Sequence, residues 1–297
     1  MKRTDIKVGF ACNNMCTFCV QGDKRFKYKS RTIDEIKDIL KTEFEKGAES
    51  VVFTGGEPTL HPNLIEAVKF AKNLGFKQIQ IQSNGRNFSK LDYLKSLIDA
   101  GVTEFSPSIH GFYRDTHDNQ VGSKGAWDEV VRGLINLKKL GQLVVINSVV
   151  TKSNYKEIPQ LAELLVKLGI DQFQFAFVHI LGSADKNKDY VVPKKSDCMP
   201  YIHKALDIAK KSGVPVFTEA IPYCLMQGYE WAISENIMPE TSIVDAEFRT
   251  DSYTDYRWNE GKAKRDECKT CSKYKVCEGP WKEYPLIYGW DEFVPIK

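Results

Sequence analysis

The sequence has little excess of either charge: 42 lysines and arginines face 39 aspartates and glutamates, a formal net charge of +3. So small a surplus gives no argument for a nucleic-acid partner. The lysines are spread over helix faces rather than gathered in a stripe, which reads as solvated surface. No apolar run is long enough to span a membrane, and the chain opens on a short polar stretch and a strand rather than an export signal. Internal repeats and low-complexity tracts are also lacking. These absences exclude a secreted, membrane-spanning or fibrous class and leave a cytoplasmic globular chain. Its 297 residues suffice for one large α/β domain and a small appendage.

Cysteine, by contrast, is plentiful, with 8 in the chain. Without an export signal, their close spacing points to metal ligands in a reducing compartment rather than to disulfides. Three of them, Cys12, Cys16 and Cys19, stand at C-x3-C-x2-C spacing directly after the apolar run Ile6–Phe10. A structural zinc site or an ordinary iron–sulfur site takes four protein ligands, and this triplet supplies three. A cluster so held keeps one site open for a small molecule.

Apolar runs alternate with helical patterns along the chain, the signature of βα units and a parallel sheet. Strands are expected at about Lys7–Phe10, Ser50–Phe53, Gln78–Gln82, Glu104–Ile109, Val144–Val150 and Gln172–Phe177. The helices between them are expected at about Thr32–Lys46, Pro62–Leu74, Lys90–Asp99, Ala126–Leu140, Tyr155–Leu168 and Met199–Ser212. Thr32 with Asp34 and Glu35 suits a helix start, and glycines such as Gly75 and Gly101 sit where C-caps belong. Six βα units make an incomplete barrel over residues 1–213, and residues 214–297 read as a separate, aromatic and turn-rich module. In such folds reactive residues gather at the C-terminal ends of the strands. The cysteine loop, Gly55-Gly56-Glu57-Pro58, Ser83-Asn84-Gly85, Ser108-Ile109-His110-Gly111, Asn147 and His179 all fall there, so one mouth should collect them.

The cysteine triplet followed by Gly-Gly-Glu-Pro after the next strand resembles the radical SAM superfamily. That resemblance implies a partial (β/α)6 barrel and a [4Fe–4S] cluster whose open iron binds S-adenosylmethionine. It also implies cleavage of that molecule to a 5′-deoxyadenosyl radical, and a flavodoxin or ferredoxin as electron donor. It assigns Phe18 to the adenine, Gly55, Gly56 and Glu57 to the methionyl amine, and Ser108, with Asn147 as a second candidate, to the ribose. His117-Asp118 with Gly125-Ala126-Trp127 also looks like the family's loop after the fourth strand. The residues after that pair depart from the usual pattern, which leaves Lys124 or Arg114 as candidates for the carboxylate. Cys224, Cys268, Cys271 and Cys277 resemble the shortened auxiliary-cluster (twitch) module, related to the longer SPASM module, and would close a second [4Fe–4S] cluster. Zinc fits the same pattern.

Cys198 is left over. At the start of a helix its thiolate would be favoured by the dipole; it reads as an incidental cysteine, with a hydrogen-atom donor for an epimerase or a substitute for Cys224 as the alternatives. His110 and His179 are candidates for substrate contact, while His61, His203, Tyr288 and Trp290 read as packing. Three functions stay open: oxidative modification of a ribosomally made peptide, a small-molecule dehydrogenase or epimerase acting on a sugar or alcohol, and a non-catalytic iron–sulfur or zinc scaffold. The start of the chain so close to the first strand argues against a separate leader-binding domain, and compact size suits the small-molecule reading.

Overall fold

The computed structural model describes all residues from Met1 to Lys297. Seven parallel strands follow one another in an arc: β1 (Arg3–Gly9), β2 (Ser50–Gly55), β3 (Gln78–Ser83), β4 (Glu104–Pro107), β5 (Val145–Val150), β6 (Gln172–Phe177) and β7 (Val216–Glu219). Ladders join β1 through β4 and β5 through β7. Between β4 and β5 the arc is carried by two parallel bridges, Phe105 with Val144 and Ser108 with Asn147. On the other side of β1 lies β8 (Thr241–Val244), parallel to it, and then β9 (Arg249–Thr250), antiparallel to β8. The fold is an α/β partial barrel with an auxiliary C-terminal region.

The six expected strands are present, but the sheet goes further at both edges. β7 lies just beyond the boundary expected after residue 213 and pairs with β6. β8 comes from the region read as irregular and pairs with β1. Both are only four residues long, too short for a period-2 pattern to stand out among prolines and aromatics.

Helices cover the outside of the arc. They are α1 (Lys24–Lys27), α2 (Ile33–Glu45), α3 (Leu64–Leu74), α4 (Leu91–Ala100), α5 (Arg114–Val121), α6 (Ala126–Lys139), α7 (Ile158–Lys167), α8 (Ser183–Lys186), α9 (Lys188–Val191) and α10 (Lys195–Lys211). The expected start of α2 forms a capping box: Thr32 Oγ1 accepts from the Glu35 N–H, and the Glu35 carboxylate accepts from the Thr32 N–H. Helix α10 begins at Lys195, four residues before the expected Met199, and carries Pro200 inside it. The proline was read as a helix start, where it is most at home. Two short helices, α11 (Tyr253–Tyr256) and α12 (Pro285–Tyr288), complete the tail.

Alternation along the strands sorts the two faces of the sheet. Ile79 and Ile81 of β3 are buried in the core beneath the helices. Gln78, Gln80 and Gln82 point to the concave side, where Gln78 and Gln80 donate to Glu104 and Gln82 accepts from Thr54. Farther round, Gln174 donates to Asn147 Oδ1 at 3.3 Å and Glu219 Oε2 at 3.1 Å. The hollow of the barrel is therefore polar. The tail aromatics close its far side by packing, as read for Tyr288. Its hydroxyl donates to the Val192 carbonyl at 2.8 Å, and Tyr284 Oη accepts from the Lys195 N–H at 2.7 Å.

Candidate active site

The loop after β1 carries Cys12, Cys16 and Cys19, all partly exposed, and it is tied to every neighbouring strand-end loop through its backbone. Behind β2, the Gly56 and Glu57 N–H groups donate to the carbonyls of Gly9 and Ala11, each at 2.8 Å. Behind β3, Asn84 Nδ2 donates to Asn13 Oδ1 at 2.6 Å, and the Arg86 guanidinium reaches the Asn13 carbonyl and Asn14 Oδ1 at 2.7 and 2.8 Å. From α5, the carbonyls of Val121 and Gln120 accept from the N–H groups of Met15 and Thr17 at 2.8 and 2.9 Å. Beyond β6, Asn187 Nδ2 donates to the Thr17 carbonyl and the Ser183 N–H to the Cys19 carbonyl, both at 2.8 Å. Hydrogen bonds thus gather the chain after β2, β3, β4 and β6 around the cysteine loop.

Burial pushes the Cys12 and Cys16 thiols above their ordinary range, and for Cys16 the nearness of Cys19 and Cys12 adds to the effect. Clustered thiols of this kind are poor isolated acids and good metal ligands, because a bound cation deprotonates them outright. The donor set fits a thiolate-bound cluster.

Gly55 and Gly56 let the cysteine loop approach closely. Gly55 has φ near 138°, and a Cβ on either Gly55 or Gly56 would run into the carbonyl oxygens of Gly9, Phe10 or Ala11. The space they leave is filled by the cysteine loop itself. Glu57 is buried, and its carboxylate is held by four protein donors. Thr59 N–H at 2.9 Å, the Thr59 hydroxyl and Ser83 Oγ at 2.8 Å reach Oε1, while the Asn84 N–H reaches Oε2 at 2.7 Å. Burial raises its pKa, and those donors pull it partly back. The side chain is first of all a strut between the loops after β2 and β3.

Phe18 is buried, with its ring edge-on to His110 at 4.8 Å between centroids. Ser108 and Asn147, the two ribose candidates, are partners in one bridge across the seam between β4 and β5. His110 lies behind Phe18 rather than in the open mouth. Its Nδ1 accepts from the Val149 N–H at 3.1 Å, and its own N–H donates to His117 Nδ1 at 3.0 Å. Burial lowers the two imidazoles to about 3 and about 4 respectively, so both are neutral. His179 stacks flat on Trp281 at 3.7 Å, joining the barrel to the tail. Arg114 pairs with Asp128 at 2.9 Å and covers the Trp127 ring on the outer surface. The Asp118 carboxylate accepts from the N–H groups of Gly125 and Trp127 at the start of α6.

Cys198 lies inside α10 rather than just before it. It is the fourth residue of α10, fully buried in the apolar core, with its thiol donating to the Lys194 carbonyl at 3.3 Å. Burial pushes it up to about 12, outweighing any favour from the helix dipole. In the tail, Cys224, Cys268, Cys271 and Cys277 line one cavity together with Tyr223, Lys264, Tyr274 and Phe293, and Cys198 is not among its walls. Cys224 is pushed up to about 12 by burial and by the other three thiols. No three His, Cys, Asp or Glu side chains converge on a single-ion point anywhere in the chain. Asn84 was among the strand-end residues expected at the mouth, whereas the positioning residues Arg86 and Asn187 escaped the sequence reading. Arg86 directly follows Ser83-Asn84-Gly85, so its place at a strand end was the available signal.

Known proteins agree with this geometry. A probable GTP 3′,8-cyclase of Saccharolobus solfataricus is 32% identical over 179 residues, covering 60% of this chain and 57% of the relative. The chain thus spans little more than half the length of that relative. Streptococcus suis SuiB bound to precursor peptide SuiA superposes with a TM-score of 0.69 at 16% identity, covering 96% of this chain and 72% of SuiB. Native anSMEcpe with bound AdoMet and Kp18Cys peptide gives 0.70 at 17% identity, covering 95% of this chain and 90% of that one. The model of the Radical SAM superfamily matches residues 6–165, more than half of the chain and the whole course from β1 into α7. With the thiol triplet at the barrel mouth, the chain belongs to the radical SAM superfamily.

Proposed function

We propose that this enzyme carries out an oxidative modification of a peptide, with S-adenosylmethionine and one cluster at the barrel mouth and a second cluster in the tail. A [4Fe–4S] cluster on Cys12, Cys16 and Cys19 would supply, with bound S-adenosylmethionine, a 5′-deoxyadenosyl radical that takes hydrogen from an unactivated C–H bond. The chain's own task is orientation. Glu57 Oε2, which takes only one protein donor, and the backbone around Gly55 and Gly56 would receive the methionyl amine. Ser108 and Asn147 offer the ribose two polar side chains across the seam, and Phe18 gives the adenine an apolar neighbour.

Cys224, Cys268, Cys271 and Cys277 would hold the auxiliary [4Fe–4S] cluster, in a unit of residues 214–297 stitched to the barrel by β7 and β8. The observation that carries this reading is that all four thiols line one cavity. Burial of Cys198 in the core removes the obvious hydrogen-atom donor for an epimerase, which favours oxidation. The peptide is supported by the likeness in fold to two proteins whose structures hold peptides, across 95% or more of this chain. A second reading, a small-molecule substrate, has the sequence relatives named as GTP 3′,8-cyclases in its favour. A flavodoxin or ferredoxin in a cytoplasmic, reducing setting would provide the electron. No helix is long and apolar enough to cross a membrane.

Anaerobically reconstituted wild type should carry about eight irons and form 5′-deoxyadenosine with dithionite. The variant with Cys12, Cys16 and Cys19 all changed to Ala should keep about four irons, absorb near 400 nm and form none. Zinc without iron in that variant would refute the auxiliary cluster. Continued 5′-deoxyadenosine formation would refute the assignment of the triplet. Precursor peptides encoded beside the gene, incubated and read by mass for loss of hydrogen, separate the two substrate classes.

A further inference from the structure

The segment after the cysteine loop is exposed, apolar at its centre and positively charged at its edge. Phe26 on α1 is 74% exposed, Met15 57% and Val20 44%. Met15 precedes Cys16 and Val20 follows Cys19, so the apolar patch is made by immediate neighbours of two of the barrel thiols. Exposed apolar side chains of this size gathered at one place mark contact surfaces more often than chance exposure does.

The charge around the patch is uncompensated. Its carboxylates are all engaged: Asp23 with Lys186, Asp245 with Lys24 at 2.8 Å, and Glu247 with Lys24 and the Tyr28 hydroxyl. Arg25 bonds only uncharged groups, the Asn14 carbonyl at 2.6 Å and Met15 Sδ at 2.7 Å. Lys27 and Lys29 are exposed, and neither takes part in the ion pairs around them. Three cations thus flank the exposed Phe26 in sequence, on a segment that Arg25 ties to the loop holding the thiols.

We propose that this patch is the docking surface for an acidic one-electron carrier protein. The proposal rests on the reading of Cys12, Cys16 and Cys19 as ligands of a redox cluster. Charge complementarity selects an acidic partner and speeds its encounter, while the apolar centre gives the contact its short-lived grip. Docked there, the carrier would touch Met15 and Val20, the chain neighbours of Cys16 and Cys19. One electron then leaves the carrier's reduced centre, which is oxidised by one unit, and enters the cluster, which is reduced by one unit.

The test is anaerobic stopped-flow oxidation of a flavodoxin hydroquinone of net negative charge by the reconstituted enzyme, followed at the flavin. In the Lys27→Glu/Lys29→Glu variant the second-order rate at low ionic strength should fall by about tenfold or more, and its decline with added salt should vanish or reverse. Phe26→Ala should slow the reaction while leaving the salt dependence intact. Bleaching of the cluster by dithionite, too small to need the patch, should be the same in all three proteins. A charge-reversed variant that reacts with flavodoxin at the wild-type rate and salt dependence overturns the proposal. So does an equal loss of rate with dithionite, which would mean damage to the loop. If dithionite fails to bleach even the wild type, the cluster reading itself falls and takes the docking surface with it.

Discussion

Replacing Glu57 by Gln separates a strut from a simple ligand. The carboxylate faces two donors that cannot rotate, the Thr59 N–H on Oε1 and the Asn84 N–H on Oε2. Its other two donors are the hydroxyls of Thr59 and Ser83, which can turn and accept instead. Glutamine has the same shape but only one acceptor end. Whichever way the amide sits, its NH2 meets one of the two backbone N–H groups and leaves that group buried and unpaired. An orphaned backbone donor costs about 1–3 kcal/mol, and the remaining bonds weaken as their acceptor loses its charge. The total should be about 2–4 kcal/mol, equivalent to a drop of roughly 4–16 °C in Tm by the usual conversion for domains somewhat smaller than this one. Thermal unfolding of the metal-free protein without S-adenosylmethionine isolates this effect from any ligand contact. A Glu57→Gln variant melting within about 1 °C of wild type would refute the strut, leaving the residue only its contact with the methionyl amine.

Gly56→Ala should force apart two segments that touch through backbone. Losing both 2.8 Å bonds from Gly56 and Glu57 to the cysteine loop, with overpacking besides, should cost about 3 kcal/mol. Faster alkylation of Cys12 in the metal-free variant is the readout. His117 makes the fold acid-labile. Its folded pKa of about 4 lies below the ordinary value of 6.5, so the unfolded chain takes up the proton first. The stability it contributes is complete above about pH 6.5 and is lost as the pH falls toward 4, by up to about 3 kcal/mol. In His117→Gln, denaturant midpoints measured across that window should slope less steeply with pH than in wild type.

The barrel was legible because its strands and helices are long enough to show their periods. Gln78 to Ser83 alternates, α2 carries its capping box, and Gly75 and Gly101 take the left-handed conformation that ends α3 and α4. The thiol triplet was legible because spacing alone specifies it. Less visible were interactions whose partners lie far apart in the chain. Arg86 reaches the loop from 72 and 73 residues away, and Asn187 reaches Thr17 from 170. The burial of Cys198 was hidden for the same reason. A helix start can be read near Met199, but the Phe177 and Tyr284 rings that flank Lys195 at the start of α10 come from β6 and from the tail.

The junction between the tail and the barrel shows why composition alone could not place the second thiol group. Lys262 is buried between Glu235 and Glu278 at 2.6 and 2.8 Å, and Arg257 grips the same Glu278 at 2.9 and 3.0 Å. Glu278 is the neighbour of Cys277, and Glu235 accepts from the Ala220 N–H at the end of β7 at 2.7 Å. A chain of buried charges therefore runs from a barrel strand to a tail cysteine. Such networks add little net stability, since desolvation offsets most of their attraction. Breaking one member is another matter, because it strands a charge at a cost of about 3–5 kcal/mol. Any shift of the tail against β7 would do that. The network thus penalises every register but one, and it fixes where Cys277, and the cavity it shares with Cys224, stand relative to the strand ends. Ala220, the one non-glycine residue with positive φ, at 62°, sits at the hinge of this arrangement. Its carbonyl accepts from the buried Lys195 Nζ at 2.9 Å while its N–H serves Glu235. Strain there is offset by these two buried bonds.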